Sequence, residues 1–409
     1  MTAVTAFGRL QSHTFKVGLG ELIGTCPLWE PIGKPRCRFR HMKLRLMFAV
    51  DPYGACRVQE AASPGRPCLA FYIGCRSGAT TCRSNCEHCF IPPEGPWLSP
   101  AEAKCRIGIL RTAGYPVVPM IPDTFADNGS YLRSGILFRN KLYDQNEVKD
   151  EGVAWTSGIP LLQENWSDLL HLASDNELQI LTFTCPSLSV GRAAVKGGMS
   201  ERALAECLQR VQAYNDKQPP ARRFLICLTL TIAKYNCNHE ALFDFYTFAS
   251  EHSADLVRLN RLIDFSTGRT FERLVLTAED TSTFFKVLDK FDVPAKLAIP
   301  TLISSDFGAS AGTAISGLHL CGCTGGIQMF AVLGEGVYPC VEYLRDPVGR
   351  IDWEVSKELS PAIDPVRWHS ERLSALREVA TQPGYDGCIG HALTCGRDHA
   401  RPTKGDLTK

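Results

Sequence analysis

The sequence predicts an α/β fold, with a partial barrel of parallel strands followed by a cysteine-rich C-terminal domain. Apolar, β-branched and aromatic runs alternate with amphipathic helical segments between about residues 69 and 305. This alternation is typical of parallel strands joined by crossover helices. It gives six or seven strand–helix units, fewer than the closed eightfold barrel requires. Glycine and cysteine density then rises after Ser305, which marks a second domain.

Seven strands are predicted from short apolar runs, at 69–74, 116–121, 153–157, 178–184, 223–232, 255–263 and 295–303. Five helices are predicted between them from apolar positions three and four residues apart, at 100–112, 167–176, 200–214, 238–250 and 278–290. Ser99 precedes a proline at the first helical position, and this is a favourable helix start.

The chain divides into three predicted domains. Residues 1–68 form an N-terminal extension, 69–305 the partial barrel and 306–409 the C-terminal domain. The extension contains a predicted β-hairpin, 42–50 with 56–60, around the turn sequence that begins at Asp51.

Composition restricts the possible partners. The chain has 409 residues, with 44 basic and 43 acidic side chains, so a nucleic-acid groove is disfavoured because it needs a clustered basic excess. The basic stretch 34–45 is interpreted as a solvated face. No apolar run approaches the roughly 20 residues that span a bilayer, and residues 1–24 lack a signal-peptide pattern. We therefore expect a cytoplasmic protein without a membrane partner.

Eighteen cysteines in a long cytosolic chain indicate metal ligands, redox chemistry or buried thiols. Four lie in apolar helix or strand patterns and are predicted to fill the core, namely Cys105, Cys185, Cys207 and Cys227. Five more are irregularly spaced near the N-terminus, at Cys26, Cys37, Cys56, Cys68 and Cys75. For these five, structural thiols are favoured over a further metal site.

The most informative motif follows the first predicted strand. Cys82, Cys86 and Cys89 stand at the spacing C-x3-C-x2-C. Three thiolates hold three irons of a [4Fe–4S] cluster and leave the fourth iron open, and soft sulfur ligands select such clusters. The alternatives are a chance cluster of cysteines and a zinc knuckle, although zinc sites prefer ligand sets that complete a tetrahedron.

This spacing, on the loop after a first strand, resembles the signature of the radical S-adenosylmethionine (SAM) superfamily. The resemblance implies a partial (β/α)6 TIM-like barrel and a [4Fe–4S] cluster that binds SAM. It also implies reductive cleavage of SAM to a 5'-deoxyadenosyl radical, which abstracts hydrogen from a substrate, with a flavodoxin- or ferredoxin-type electron donor. His88 occupies the position of the aromatic residue that usually lies near the adenine.

The C-terminal cysteines resemble a second motif of these enzymes. Gly334-Glu335-Gly336-Val337-Tyr338-Pro339-Cys340 reads as a tight hairpin that ends in a cysteine, as in SPASM and twitch domains. The resemblance implies one auxiliary [4Fe–4S] cluster, because too few cysteines are present for two. Its ligands would be Cys323, Cys340, Cys388 and Cys395, with Cys321 as an alternative to Cys323. A zinc site with the same cysteines is the other possibility.

Four strand-end residues are candidates for binding SAM. Asp123 stands where relatives carry a Gly-Gly-Glu-like segment that meets the amino group, and its alternative is a turn-forming role. Ser157 lies in a segment similar to the Thr-Asn-Gly turn of relatives. Thr184 is placed to bind a ribose hydroxyl, and Arg258 to pair with the carboxylate. For the last two, an ordinary polar strand-end role is the alternative.

The sequence therefore predicts a radical SAM enzyme with one auxiliary cluster, acting on a small polar metabolite in natural-product biosynthesis. A peptide-modifying maturase is the alternative, and a non-catalytic iron–sulfur or zinc scaffold is the rival from another class. An RNA-modifying enzyme is disfavoured by the charge balance. Candidates for quenching a substrate radical are Cys321, Cys237, Tyr235 and Tyr343.

Overall fold

The computed structural model describes residues 66–74, 97–121, 123–137, 139–144, 147–185, 199–262, 274–290, 299, 301–303, 329–340, 343–354, 364–381 and 393. The predicted hairpin within 42–60 lies outside these ranges. Within them, twelve strands build two six-stranded sheets, accompanied by seven α-helices.

The strands are β1 (Cys68–Tyr72), β2 (Val117–Met120), β3 (Arg139–Asp144), β4 (Glu147–Thr156), β5 (Leu178–Thr184), β6 (Leu225–Ile232), β7 (Leu256–Arg261), β8 (Thr301–Ile303), β9 (Met329–Leu333), β10 (Gly336–Tyr338), β11 (Gly349–Ile351) and β12 (Val366–Trp368). The helices are α1 (Pro100–Thr112), α2 (Ala126–Arg133), α3 (Trp166–Asp175), α4 (Glu201–Asp216), α5 (His239–Glu251), α6 (Ala278–Lys290) and α7 (Ser370–Thr381). Short 3-10 helices occupy Ile159–Leu162 and Pro220–Arg222.

The barrel strands are parallel, as the sequence predicts. β4, β5, β6, β7 and β8 pair in that order in one sheet, all parallel. β1 and β2 pair parallel in the other sheet. Helices follow β2, β4, β5, β6 and β7, and α1 connects β1 to β2. The predicted α/β fold with parallel strands is therefore confirmed.

Most predicted elements are observed close to their expected bounds. α1, α6 and β5 begin and end at the predicted residues. Ser99 caps α1 by accepting a hydrogen bond from the Glu102 amide at 3.2 Å, and Ser200 caps α4 in the same way. These caps satisfy amide groups that have no partner within the helix.

Two barrel elements were not predicted. β3 pairs antiparallel with β4, and its sequence, RNKLYD, lacks the apolar alternation of a strand. α2 is interrupted by Asp127, Asn128 and Gly129, which have positive φ angles of 49°, 51° and 77°. Left-handed backbone is rare for residues with a Cβ, so helical periodicity could not reveal this segment.

Strands that are buried on both faces form the centre of the core. Every residue of β1 is buried, and seven of the eight residues of β6 are buried. Cys185, Cys207 and Cys227 fill this core, as predicted. The same prediction is wrong for Cys105, which is exposed. The buried stripe of α1 runs through Ala103, Ile107 and Leu110, and a residue two positions after Ala103 lies off that stripe.

The C-terminal strands continue the sheet of the barrel. β9 pairs parallel with β1, and β10, β11 and β12 follow as antiparallel neighbours. Next to them, the Tyr115 hydroxyl donates to the Asp364 carboxylate at 2.8 Å and accepts from Arg66 at 2.8 Å. Burial, as the main cause, raises the pKa of Tyr115 to about 12. The hydrogen bonds of Tyr115 with Arg66 and Asp364 thus join the start of β2 to the start of β12. The domain boundaries at 68 and 305 stay a prediction.

None of the described helices combines the length and the apolar character that a bilayer span requires.

Candidate active site

The candidate site lies where the parallel barrel strands end. The carboxyl ends of such strands meet at one edge, and this is where barrel enzymes place functional side chains. Four of the five predicted SAM-binding residues are described, and all four lie at or near this edge, on β5 and β7 or directly after β2 and β4. We call this edge the mouth of the barrel.

The cysteine loop begins and ends at the mouth. The Ile73 amide, just after β1, donates to the Met120 carbonyl of β2 at 3.2 Å. The Leu98 amide, just before α1, donates to the Ile73 carbonyl at 3.0 Å. A Cβ on Gly74 would lie 1.9 Å from the Trp97 ring, so the two ends pack closely. Cys82, His88 and the other two motif cysteines lie between these anchors, outside the described residues.

Strand register brings polar side chains together on one face. Thr184 of β5, Thr229 of β6 and Arg258 of β7 are register neighbours. Two residues earlier on β5 and β6, Thr182 and Cys227 are also register neighbours. Because side chains alternate along a strand, both rows lie on the same face of the sheet. The residues between them on β6 and β7 are apolar.

Arg258 is the cation of this face. It is only 3% exposed, and a buried charge is retained only where polar groups surround it. Its Nε donates to Asn260 Oδ1 at 2.7 Å. Its guanidinium carbon lies 5.2 Å from the centre of the Trp155 ring, which is a cation–π distance. Two neighbours therefore fix the orientation of the guanidinium.

Cys227 lies beside this cation and two threonine hydroxyls. Burial raises the pKa of its thiol to about 12, while Arg258, Thr182 and Thr229 act in the opposite direction. The thiol is therefore neutral at physiological pH. Although both hydroxyls lie close enough to affect Cys227, neither oxygen has a hydrogen-bond partner of normal geometry among the described residues.

Asp123 and Ser157 contact each other. Asp123 is fully buried, and its Oδ2 accepts from the Ser157 amide at 2.8 Å and from the Ser157 hydroxyl at 2.6 Å. Its Oδ1 accepts from the Phe125 amide at 3.0 Å, which is an Asx turn. Burial raises the pKa of Asp123, and these donated hydrogen bonds oppose that shift. In this arrangement Asp123 forms the turn that the sequence left as the alternative, and its contact with SAM stays a prediction.

Gly158 makes the turn after β4 possible. Its φ is +84°, and a Cβ there would lie 2.9 Å from the Met199 methyl carbon and 3.2 Å from Cys207 Sγ. The Cys207 thiol in turn donates to the Gly158 carbonyl at 3.1 Å. The predicted turn that contains Ser157 thus requires glycine at its next position, since a side chain would be both strained and crowded.

We expect Gly158→Ala to lower the free energy of unfolding by about 1–3 kcal/mol, from left-handed strain and crowding. Chemical denaturation measures this loss. The matched control is Gly108→Ala, on the exposed side of α1 with no atom within 4 Å of its added Cβ. That change should leave stability unchanged or raise it by up to about 1 kcal/mol, because alanine favours helix. Equal stability of both variants would contradict the account of this turn.

Two of the candidates for radical quenching, Tyr235 and Cys237, lie after β6. Cys237 Sγ donates to the Lys234 carbonyl at 3.3 Å, and burial is the main cause that raises the pKa of its thiol. The Asn236 side chain, 1% exposed, holds this loop by bonding the Ala233 amide and the Thr231 carbonyl. Tyr343 is buried and donates to Asp346 at 2.8 Å. Cys321 lies outside the described residues.

The predicted C-terminal hairpin is present. β9 and β10 pair antiparallel around Gly334, which has a φ of +61°. Cys340 follows β10 and is completely buried. The three other predicted ligands, Cys323, Cys388 and Cys395, lie outside the described ranges. Within those ranges no three histidine, cysteine or acidic side chains form a group that could hold a metal.

Sequence reasoning missed the partners that orient the predicted residues. Trp155 and Asn260 both contact Arg258, and Thr229 separates Thr184 from Arg258. The two-residue periodicity of polar side chains on β5, β6 and β7 was the available signal, because it identifies the interior face of a barrel.

Comparison with known proteins gives structural likenesses only. No family model and no curated protein matches the sequence. SuiB of Streptococcus suis, solved with its precursor peptide SuiA, aligns with a TM-score of 0.48 at 12% identity, over 70% of this chain and 62% of SuiB. The chain thus spans less than two thirds of SuiB.

Two further solved structures align over more of their own length. anSMEcpe with bound AdoMet and the Cp18Cys peptide gives a TM-score of 0.48 at 15% identity, over 79% of this chain and 88% of that one. Methylornithine synthase (PylB) gives a TM-score of 0.35 at 11% identity, over 88% of this chain and 95% of that one. All three likenesses lie at 15% identity or below, with TM-scores under 0.5.

Proposed function

We propose that the protein is a radical SAM enzyme, which cleaves SAM reductively and abstracts hydrogen from an organic substrate. The observation that carries this proposal is the position of the described residues on either side of the cysteine motif. Hydrogen bonds from Ile73 and Leu98 fix both ends of the loop at the mouth, where the barrel also presents Arg258 and Thr184. An open [4Fe–4S] cluster held by this motif would therefore lie next to groups that suit SAM.

Cys82, Cys86 and Cys89 would hold the cluster. The chemistry of the described mouth fits its partner, since SAM carries a carboxylate and a ribose diol. Arg258 offers a buried cation for the carboxylate, and Thr184 a hydroxyl for the ribose. His88 is proposed to lie near the adenine. When bound, the reduced cluster and SAM supply the 5'-deoxyadenosyl radical.

The protein's own contribution is orientation and exclusion of water. Asn260 and Trp155 fix the Arg258 guanidinium before a ligand arrives, which lowers the entropic cost of binding. The buried rows of β5, β6 and β7 exclude water from the floor of the mouth. Water exclusion strengthens the pairing of Arg258 with an anion, and it protects a reactive radical from side reactions.

An auxiliary cluster held by Cys323, Cys340, Cys388 and Cys395 is the second part of the proposal, and a zinc ion is its alternative. Cys340 supports it, because the hairpin delivers this thiol to a site from which water is excluded. Soft thiolate ligands suit iron–sulfur clusters in such sites. This group would accept an electron from the substrate radical or bind the substrate.

The proposed substrate is a small polar metabolite, because the C-terminal cysteines are too few for the two clusters of a SPASM domain. A peptide is the alternative substrate, and peptides are bound in the structures of SuiB and anSMEcpe. We further propose a flavodoxin- or ferredoxin-type electron donor and a location in the cytoplasm.

The electron paramagnetic resonance spectrum of the reduced, anaerobically reconstituted protein tests the proposal. Adding SAM should change the spectrum, because SAM would bind to the cluster that Cys82, Cys86 and Cys89 would hold. A spectrum with iron signals that SAM leaves unchanged would instead support a non-catalytic scaffold. Accumulation of 5'-deoxyadenosine above the substrate-free level with pooled small polar metabolites, and not with peptides, would support the proposed substrate class.

A further inference from the structure

The barrel has a seam between β2 and β4. Among the described residues, β2 lies at the edge of one sheet, and β4 belongs to the other. β3 pairs with β4 only up to Gly152, so the residues of β4 after Gly152 need other partners for their backbone groups on that side. At this seam the partners come from the segment that follows β2, at the mouth of the barrel.

Two consecutive residues bridge the seam. The Thr124 amide donates to the Trp155 carbonyl at 2.8 Å, and the Trp155 amide donates to the Thr124 hydroxyl at 2.9 Å. One position earlier, Asp123 accepts from both the amide and the hydroxyl of Ser157. Both bridging residues are at most 6% exposed. The seam is thus closed by four hydrogen bonds, and three of them use the side chain of Asp123 or Thr124.

The bridged residues reach the candidate SAM site. Thr124 forms hydrogen bonds with both the amide and the carbonyl of Trp155. The ring of Trp155 packs against the Arg258 guanidinium. Ser157 precedes Gly158, whose turn directs the chain into the 3-10 helix at Ile159–Leu162. A shift of β4 relative to β2 would therefore move one of the two groups that orient Arg258.

We propose that Asp123 and Thr124 are positioning residues that close the β2–β4 seam and thereby hold Trp155 and Arg258 in place for the SAM carboxylate. The inference rests on the proposed function for the identity of that ligand. It replaces the direct contact between Asp123 and SAM with an indirect role. Neither residue touches the ligand, and both act through the position of β4.

Asp123→Asn and Thr124→Val test this role. Each Asp123 oxygen accepts from a backbone amide, Phe125 on one side and Ser157 on the other. An asparagine nitrogen at either position would therefore face a donor. Thr124→Val keeps the size of the side chain and removes the acceptor for the Trp155 amide. We expect each variant to raise the Kd for SAM by roughly three- to tenfold, the factor expected for losing a net hydrogen bond.

The matched control is Tyr115→Phe, at the opposite end of the same region. Tyr115 precedes β2 and is also buried and hydrogen-bonded. Loss of the Tyr115 hydroxyl should lower the melting temperature about as much as the Asp123 and Thr124 substitutions do, but leave the Kd for SAM unchanged. Calorimetric titration of SAM into the anaerobically reconstituted proteins, with melting curves alongside, gives both quantities without relying on turnover.

The possible results are distinct. No binding of SAM by the parent protein would overturn the proposed function itself. Binding by the parent, with the same Kd in the Asp123 and Thr124 variants as in Tyr115→Phe, would overturn the positioning role alone. A raised Kd for Asp123→Asn but not for Thr124→Val would assign Asp123 a direct contact and also contradict the inference. If Asp123→Asn does not fold, Thr124→Val and Ser157→Ala replace it, each removing one side-chain bond across the seam.

Discussion

Replacing Cys340 by serine should remove about half of the iron, from about eight to about four atoms per chain, because one of two [4Fe–4S] clusters loses a ligand. Serine keeps the size of the side chain but replaces the thiolate that soft metal sites need. The buried position of Cys340 after β10 makes it the described member of the proposed auxiliary ligand set. Iron and acid-labile sulfide analysis after anaerobic reconstitution measures the loss.

Cys105→Ser is the matched control for this change. Cys105 is exposed on α1 and belongs to neither predicted ligand set, so its replacement should keep all the iron. Equal iron in the two variants would contradict the auxiliary cluster. A parent protein with about four irons and one zinc, in which only the zinc is lost from Cys340→Ser, would support the zinc site instead.

Arg258→Gln should weaken SAM binding by roughly ten- to 100-fold, because a charge-assisted hydrogen bond contributes about 1.5–3 kcal/mol. Glutamine retains a hydrogen-bonding group but removes the charge that pairs with the carboxylate. It also ends the cation–π contact with Trp155. Calorimetric titration of SAM into the reconstituted variant measures the effect.

Arg261→Gln controls for the loss of a buried arginine. Arg261 lies on the same strand and is also 3% exposed, but three residues along a strand place it on the opposite face. There its guanidinium donates to the Leu276 carbonyl at 3.2 Å. This variant should lose stability and keep its affinity for SAM. Equal loss of affinity in both arginine variants would contradict the placement of the carboxylate at Arg258.

Local signals in the sequence predicted most of the barrel. Apolar runs bounded by turn residues located β5, and the cap at Ser99 located the start of α1. Such elements depend on short-range periodicity and on capping. The left-handed residues of α2 and the polar strand β3 depend on tertiary packing, which overrides local propensity.

The candidate site shows the same division. Position at the end of a parallel strand made Thr184 and Arg258 candidates, and their binding of SAM stays a prediction. The hydrogen bond between Asp123 and Ser157 could not be predicted, because Ser157 lies 34 residues later in the chain. Burial and hydrogen bonding across the seam decide whether this carboxylate faces a ligand or the protein, and neither is encoded in its immediate sequence.

Formation of 5'-deoxyadenosine tests the central claim most directly. The anaerobically reconstituted protein would be incubated with SAM and a strong reductant, beside a variant with Cys82, Cys86 and Cys89 replaced by alanine. We predict 5'-deoxyadenosine from the parent and none from the variant. An iron-loaded parent that binds SAM but forms no more 5'-deoxyadenosine than the variant would contradict radical SAM chemistry.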